Sequence, residues 1–454
     1  MRGPGEQMEL SHHNLVNFAH LDHLCEEVVC NGEAYRIVHI YCPAPDYNRT
    51  ADPEEGTACV DDAARAAVVY LRHFEITGDE QSRIKAEGLL RFILYMQTPE
   101  GLFYNFVHTN RLDINTTHER SRADGVTWWM VRAIWALGTG VRALWKANPT
   151  IAAQCEESLR RCLPALSRLL ERYPECENHR GRVIPTWLVN NDGADATSEL
   201  LLGLTAYHQA RPSSEIQTMI SRFAQGISMM RYGSMNQSPY GMHASWRDGW
   251  HLWGNSQTQA LAEAGILTSA KMEAEHFYPR LLVEGYLHSF TFDDLHNIRY
   301  FERIAYGVRA VAVGLVRLFE ATGDERYAIM AGLAGSWFLG NNLAGKPMYD
   351  RATGRGYDGL HQEGRINYNA GAESTTEALY TLLEVGNHPE AACWLNVRRQ
   401  EKQRETREGV DYFYRVFEDA TNHPPRRIGL ILNLTHETFE LMQGDALDRF
   451  LGSA

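Results

Sequence analysis

Acidic side chains stand at or just ahead of six helix-like segments, in loops that also carry tryptophan, asparagine and glycine. They are Asp61 and Asp62 in CVDDAARA, Asp124 in SRADGVTWW, Asp192 and Asp195 in NNDGADATSE, Asp248 in WRDGWHLWGNS, Glu302 in FERIAYG, and Glu363 and Glu373 in GLHQEGRINYNAGAEST. Two carboxyls facing one cleft can divide acid and base work: one protonates a leaving oxygen while the other activates water or attacks carbon. An Asp at a helix start also accepts orphan backbone N–H bonds and suits the helix dipole, and that alone would account for Asp124 or Asp195. It does not account for Trp250, Tyr357, Tyr368, Asn190, Asn191 and Asn255 beside them. Aromatic faces with amides and carboxyls suit stacking on sugar C–H faces and bonding of hydroxyls. The expected substrate contacts are therefore Trp128, Trp129, Asp195, Trp246, Asp248, His251, Trp253, Tyr306, His361, Asn367 and Asn369.

The segments that must position these groups are helical by period and share a character. DDAARAAVVYLRHF from Asp61, DGVTWWMVRAIWALG from Asp124, DATSELLLGLTAYHQ from Asp195, NSQTQALAEAG from Asn255, YGVRAVAVGLVRLFEATG from Tyr306 and GAESTTEALYTLLEVG from Gly371 are rich in small residues, and their starts recur at intervals of 51 to 71 residues. Between them lie amphipathic segments with charged faces: His13–Val29, Gln81–Met96, Ile151–Tyr173, Ser214–Arg231, Ala270–His288 and Glu325–Leu339. A helix with small residues on most faces can be surrounded by neighbours, whereas one with a charged face must meet water. The alternation predicts an inner and an outer ring: an all-α (α/α)6 toroid of six hairpins over residues 1–400. Residues 401–454 would form a small C-terminal extension, where Ile428 to Phe439 partly alternates like a strand pair. An open solenoid of the same hairpins is the competing architecture, but its turns are usually short, and the segments here are as long as Tyr232–Gly254 and Gly340–Ala370.

The chain has 454 residues, 44% of them hydrophobic and 22% charged, which excludes a disordered or low-complexity protein. Its formal net charge of −13, without a basic block, argues against nucleic acid and anionic membranes as partners. The stretch MRGPGEQMELSHHN lacks the apolar run of a signal peptide, so a soluble, cytoplasmic protein is expected. The eight cysteines form no CxxC pair, and reduced thiols are expected. His20, His23, Cys25 and Cys30 in HLDHLCEEVVC could share a metal, but a helix with a partly buried polar stripe is the plainer account, and no metal or cofactor is expected. Neither a phosphate-binding GxxxxGK[ST] nor a GxSxG nucleophile motif is present.

The hairpin series resembles the six-hairpin glycosidase superfamily. WFLGNNLAGKPMYDRATGRG followed by HQEGRINYNAG resembles the end of the glycoside hydrolase family 9 catalytic domain, whose pattern runs LGxNP, NE and DYNAG. That resemblance implies Glu363 as general acid and Asp61 or Asp62 of VDDAARA as counterpart of the family's DAGD base. The sequence departs at Leu343, at Asn367 and in lacking DAGD, which argues against cellulose as substrate. DDAARA, LGNN, YDGL and NAGAEST resemble uncharacterised helical domains, with DDNARAL and NQGAEST motifs, found fused to or near bacterial sugar-transferring enzymes. By that likeness Asp61, Asp62, Arg65, Asn369 and Glu373 gain weight.

Hydrolysis of short oligosaccharides by two carboxyls is the expected activity. Glu363, or failing it Glu373, would be the acid, and Asp62, supported by Asp61 and Asp124, the base or nucleophile. Sugar epimerisation or isomerisation by histidine pairs (His243, His251, His361) is the alternative. Phosphorolysis, with Arg122, Arg247 or Arg365 as hydrogen-bond donors to the phosphate, and non-catalytic sugar binding are two more. Carboxyls or histidines on the cavity floor would discriminate the first two.

Overall fold

The computed structural model describes residues 15–294, 297–419, 421 and 425–452; MRGPGEQMELSHHN lies outside them. Six inner helices carry the fold: α1 (Val60–Thr77), α2 (Trp128–Leu144), α3 (Ala194–Ala210), α4 (Gln257–Glu263), α5 (Ala305–Thr322) and α6 (Ala372–Gly386). Each packs on the next and α6 returns to α1, so the ring is closed rather than open-ended.

Small residues permit this closeness. Ala63, Ala64, Ala66 and Ala67 of α1 are all fully buried. At the crossing of α2 and α3, a Cβ on Gly138 would stand 2.0 Å from the carbonyl oxygen of Gly203, so only glycine allows the two backbones to touch. Start signals match the helix ends: the Cys59 sulfur accepts from the Asp62 amide ahead of α1, with Asp61 and Asp62 in its first turn, and α1 ends at Gly78 with φ of 73°. Outside the ring run Glu80–Tyr95, Pro149–Leu170, Ser214–Met229, Leu267–His276 with Tyr278–Glu284, and Glu325–Gly335. Each presents an apolar stripe inward, as Leu89, Leu90, Phe92 and Ile93 do in the first.

The all-α class is overturned. Among the described residues short sheets are spread along the chain, from Cys25–Cys30 onwards, rather than confined to the C-terminal extension. The long segments ahead of the inner helices need backbone partners, and they find them in short antiparallel pairs. Cys176–His179 pairs with Arg182–Pro185, Gly249–His251 with Ser289–Thr291, and Gly359–Leu360 with both Ile366–Asn367 and Arg303–Ile304.

The outer segments also differ from expectation at two places. His13–Val29 was expected as one helix; His13 and Asn14 lie outside the described residues, only Ala19–Leu24 is helical, and Cys25–Cys30 is a strand paired with Glu33–Val38. Val28 is buried and Val29 exposed there, adjacent residues on opposite faces as a strand requires. Ala270–His288 breaks at Phe277, ahead of Pro279, and a strand starts at Ser289. After α6 the outer ring has only the single turn Pro389–Ala392, so six full hairpins are not formed.

The C-terminal segment forms a five-stranded antiparallel sheet from Arg398–Arg399, Gln403–Arg407, Val410–Asp419, Arg426–Asn433 and Thr438–Gln443, followed by helix Gly444–Leu451. The sheet packs beside Tyr278–Glu284, where Arg415 Nε donates to the Val283 carbonyl at 2.7 Å. Among the described residues no helix is long and apolar enough to cross a membrane.

Candidate active site

The N-terminal ends of α1, α2, α5 and α6 open onto a cavity of about 620 Å³. Trp128, Trp129, Trp253 and Tyr306 supply its aromatic wall, and Glu55, Asp61, Asp62, Glu302, Asp358 and Glu373 its carboxyls. Arg65, Arg120, Arg132, Asn105, Asn367 and Ser374 complete the polar lining.

Two arginines tie the carboxyls to the ring. Arg65 on α1 donates to Asp62 at 2.9 Å and to Glu373 at 3.0 Å, so it joins the starts of α1 and α6. Arg132 on α2 donates to Asp61 at 2.7 Å, to Glu199 at 2.8 Å and to the Tyr306 hydroxyl at 2.7 Å. That hydroxyl donates in turn to Glu199, while Arg309 of α5 bonds Glu377 from below. The Tyr306 ring lies 4.9 Å from the Arg65 guanidinium, and the Trp128 ring 4.8 Å from that of Arg132. Removing one partner from such a buried ion network costs about 3–5 kcal/mol, because the other charge is left uncompensated.

The same environment separates the carboxyls by proton affinity. Burial pushes Asp62 up to about 6, against the pull of Arg65; Glu373 and Asp61 beside it add to the rise. Burial likewise pushes Asp358 up to about 6, although the Ser374 hydroxyl donates to it at 2.7 Å. For Asp61 burial works upward too, but Arg132 and Arg65, with the Asn105 amide at 3.1 Å, outweigh it and hold its carboxyl below the usual range. Neighbouring carboxyls with opposite tendencies are what an acid and base pair requires.

The cavity collects Asp61, Asp62, Arg65, Glu302, Glu373, Trp128, Trp129, Trp253, Tyr306 and Asn367 from the residues expected of a site. The others stand elsewhere. Glu363 sits exposed in the turn Gln362–Gly364 at φ of 66°, and Asp124 is exposed ahead of α2. Asp195 is buried at the start of α3 and accepts from His251 Nε2 at 2.8 Å; the His251 ring stacks on Trp253 at 4.0 Å and leans on Trp246 at 5.1 Å. Asp248 bonds His179 at 2.6 Å, and Asn369 accepts from the Ala44 amide. His361 Nε2 lies 3.6 Å from Glu302 at the cavity edge. His243 is sealed between Ser269 and Glu273, and Arg247 is paired with Asp192 and Glu177. His20 and His23 bond the carbonyls of Ala370 and Tyr47.

Asp358, Glu55, Arg120 and Asn105 were missed as site residues. Asp358 occupies the YDGL segment, away from any helix start, and reaches the cavity because Gly359–Leu360 pairs with Arg303–Ile304. The signal available was the Gly after it: a Cβ on Gly359 would meet Glu302 Oε1 at 2.6 Å, so the glycine marks where two loops close over each other.

No family model matches the sequence, and no curated protein matches it. Solved structures do match. A cellobiose 2-epimerase from Bacillus thermoamylovorans B4167 is 12% identical with a TM-score of 0.59, over 82% of this chain and 97% of that one. D-mannose isomerase is 12% identical with a TM-score of 0.55, over 83% of this chain and 95% of that one. A cellobiose 2-epimerase from Spirochaeta thermophila DSM 6192 is 13% identical with a TM-score of 0.53, over 77% and 90%. The likeness is one of fold alone, a closed ring of inner helices with outer helices packed on it, and it does not reach the narrower family 9 motifs or those of the domains found near sugar-transferring enzymes.

Proposed function

We propose that the chain is a carbohydrate-active enzyme that cleaves a glycosidic bond in this cavity by carboxyl acid–base chemistry. The observation that carries the reading is the lining itself: carboxyls of opposed proton affinity beside tryptophans, with no histidine among the described lining residues. Asp358, protonated in a good fraction of molecules near pH 6, gives its proton to the leaving oxygen. Asp61, kept ionised by Arg132, activates water or attacks the anomeric carbon, with Asp62 in support. Trp128 and Trp253 offer faces for the sugar rings, and Asn367 an amide for their hydroxyls. The acid is thus placed at Asp358 in preference to the exposed Glu363.

A second reading, sugar epimerisation or isomerisation, is favoured by the fold comparisons, in which proteins of those activities align with TM-scores of 0.59 and 0.55. In it His361, beside Glu302, and His251, beside Asp195, would move protons. The two are separated by incubating the protein with di- and oligosaccharides, in water and in phosphate, with Asp358→Asn, Asp61→Asn and His361→Ala variants alongside. Cleavage products by mass spectrometry that vanish in both carboxyl variants support the hydrolase. A new isomer of unchanged mass that survives Asp358→Asn and is lost in His361→Ala replaces it with the epimerase.

A further inference from the structure

Arginines also gather where the C-terminal sheet meets the ring. Arg399 stands opposite Phe417 in the pairing of Arg398–Arg399 with Val410–Asp419, and Arg415 lies two residues along from Phe417. Side chains alternate along a strand, so Arg399 and Arg415 share one face of the sheet. That face meets the end of the helix Tyr278–Glu284, where Arg415 Nε donates to the Val283 carbonyl. Arg303 arrives at the same place from the ring. A Cβ built on Gly285, which caps that helix, would collide with Arg399 Nη1 and stand 3.5 Å from Arg303 Nη1. Three guanidiniums from three segments therefore converge on one helix end.

A helix C-terminus offers free carbonyls to cations, but these account for little here. Arg415 uses one N–H on Val283, and Arg303 uses one on the Tyr300 carbonyl and rests on the Phe301 ring. Among the described residues Arg399 makes no side-chain hydrogen bond, and no carboxylate is in ion-pair contact with any of the three. Glu284, the acid whose charge Arg303 and Arg415 feel, is paired with Lys402. Yet Arg303 and Arg415 are each only 6% exposed. Burial, with Arg399 beside them, pushes both down to about 10. A buried cation without a counter-charge is costly, and such groups are satisfied by protein, by water or by an ion. Arg399 is half-buried, so solvent reaches the seam.

We infer that the seam between ring and sheet binds a phosphoryl group, held by Arg303, Arg399 and Arg415, and that the bound anion fastens the sheet to the ring. A carboxylate presents two oxygens in one plane. A phosphoryl dianion presents three, one for each guanidinium, and carries more charge to balance them. None of the three arginines lines the catalytic cavity, so binding here is independent of the carbohydrate chemistry above.

Thermal unfolding and titration calorimetry of the full chain test this with inorganic phosphate and glucose 6-phosphate, against sodium chloride of equal ionic strength. Phosphate should raise the Tm saturably by several degrees, and chloride should not. Arg399→Gln should unfold no earlier than wild type in phosphate-free buffer, because it relieves repulsion between cations. It should bind phosphate at least about tenfold more weakly, as loss of a charge-assisted hydrogen bond would give. Arg303→Gln reads the same loss from the ring side. Inorganic phosphate bound as tightly as glucose 6-phosphate means that the phosphoryl group alone is read. Tighter binding of glucose 6-phosphate, lost in the same variants, makes a sugar phosphate the ligand. A Tm that phosphate raises no further than chloride does, or phosphate affinity unchanged in folded Arg399→Gln and Arg303→Gln, overturns the assignment.

Discussion

The two mouths of the helical ring are built from the same residue types and do different things with them. At the mouth formed by helix N-termini, carboxyls outnumber arginines, tryptophans line the wall and Glu302 Oε1 is left without a donor. Towards the C-terminal ends of the inner helices a smaller cavity, about 240 Å³, is lined by Arg72, Arg142, Arg317, Glu263 and Glu320. There every charge has its partner: Arg72 holds Glu384 and Glu75, Arg142 holds Glu75, and Arg317 holds Glu384, Glu263 and Glu320. Balanced pairs at one end fasten the ring, and unbalanced carboxyls at the other are available for a ligand. Burial of charge is common to both mouths, so satisfaction of charge is the distinguishing mark.

Substitutions should divide along the same line. The largest effect belongs to Asp358→Asn, which we expect to lower kcat/KM by about 10²–10⁴-fold with little change in Tm, read by turnover and calorimetry. Glu384→Gln at the far mouth should do the reverse. It takes from Arg72 and Arg317 the one fully buried partner they share and costs about 3–5 kcal/mol in denaturant unfolding, while kcat per folded molecule holds. A far-mouth variant that destroys turnover in a folded protein would break the division.

The pH dependences should oppose each other. Burial works to raise Glu384, but Arg317 and Arg72 hold it far below the usual carboxylate range. Its contribution to stability is thus full above that range and is lost progressively as the pH falls below it. Asp62 and Asp358 are raised to about 6, so the stability they contribute is full below the ordinary carboxylate pKa and lost as the pH rises through 6. Activity should follow the near mouth, with kcat/KM declining as the pH rises past about 6 because Asp358 loses the proton it must donate. The smallest effect sharpens the assignment. Ser374→Ala removes a hydrogen bond that favours ionised Asp358, and should move that alkaline limb upward by under about one pH unit. A limb that stays in place would pass the acid role to Asp62.

Much of the ring was legible because its cause is local. Runs such as DDAARAA and VRAVAVG declare a helix that must be surrounded, and five of the six starts fall within two residues of the expected ones. The exception is α2, which begins at Trp128, four residues after Asp124, because Thr127 takes the cap. Strands of two to four residues in the loops were not legible, since so short a run carries no period. The site was half legible for the same reason. Asp61, Asp62 and Glu373 sit on helix starts whose positions the sequence declares. Glu302 stands just ahead of another such start, but Asp358 reaches it only through a strand pairing between segments more than fifty residues apart, which no local pattern records. Asp195 and His251 look no different in sequence, yet they bond each other beneath Trp253 and lie outside the cavity lining.

The most direct measurement is mass-spectrometric analysis of disaccharides incubated at pH 6 with wild-type protein and with Asp358→Asn of equal Tm. We expect cleavage by the wild type and at least a hundredfold loss in the variant, with sugar binding retained. Cleavage at full rate in Asp358→Asn, or conversion of the sugars to isomers of unchanged mass, would contradict a cavity run by its carboxyls.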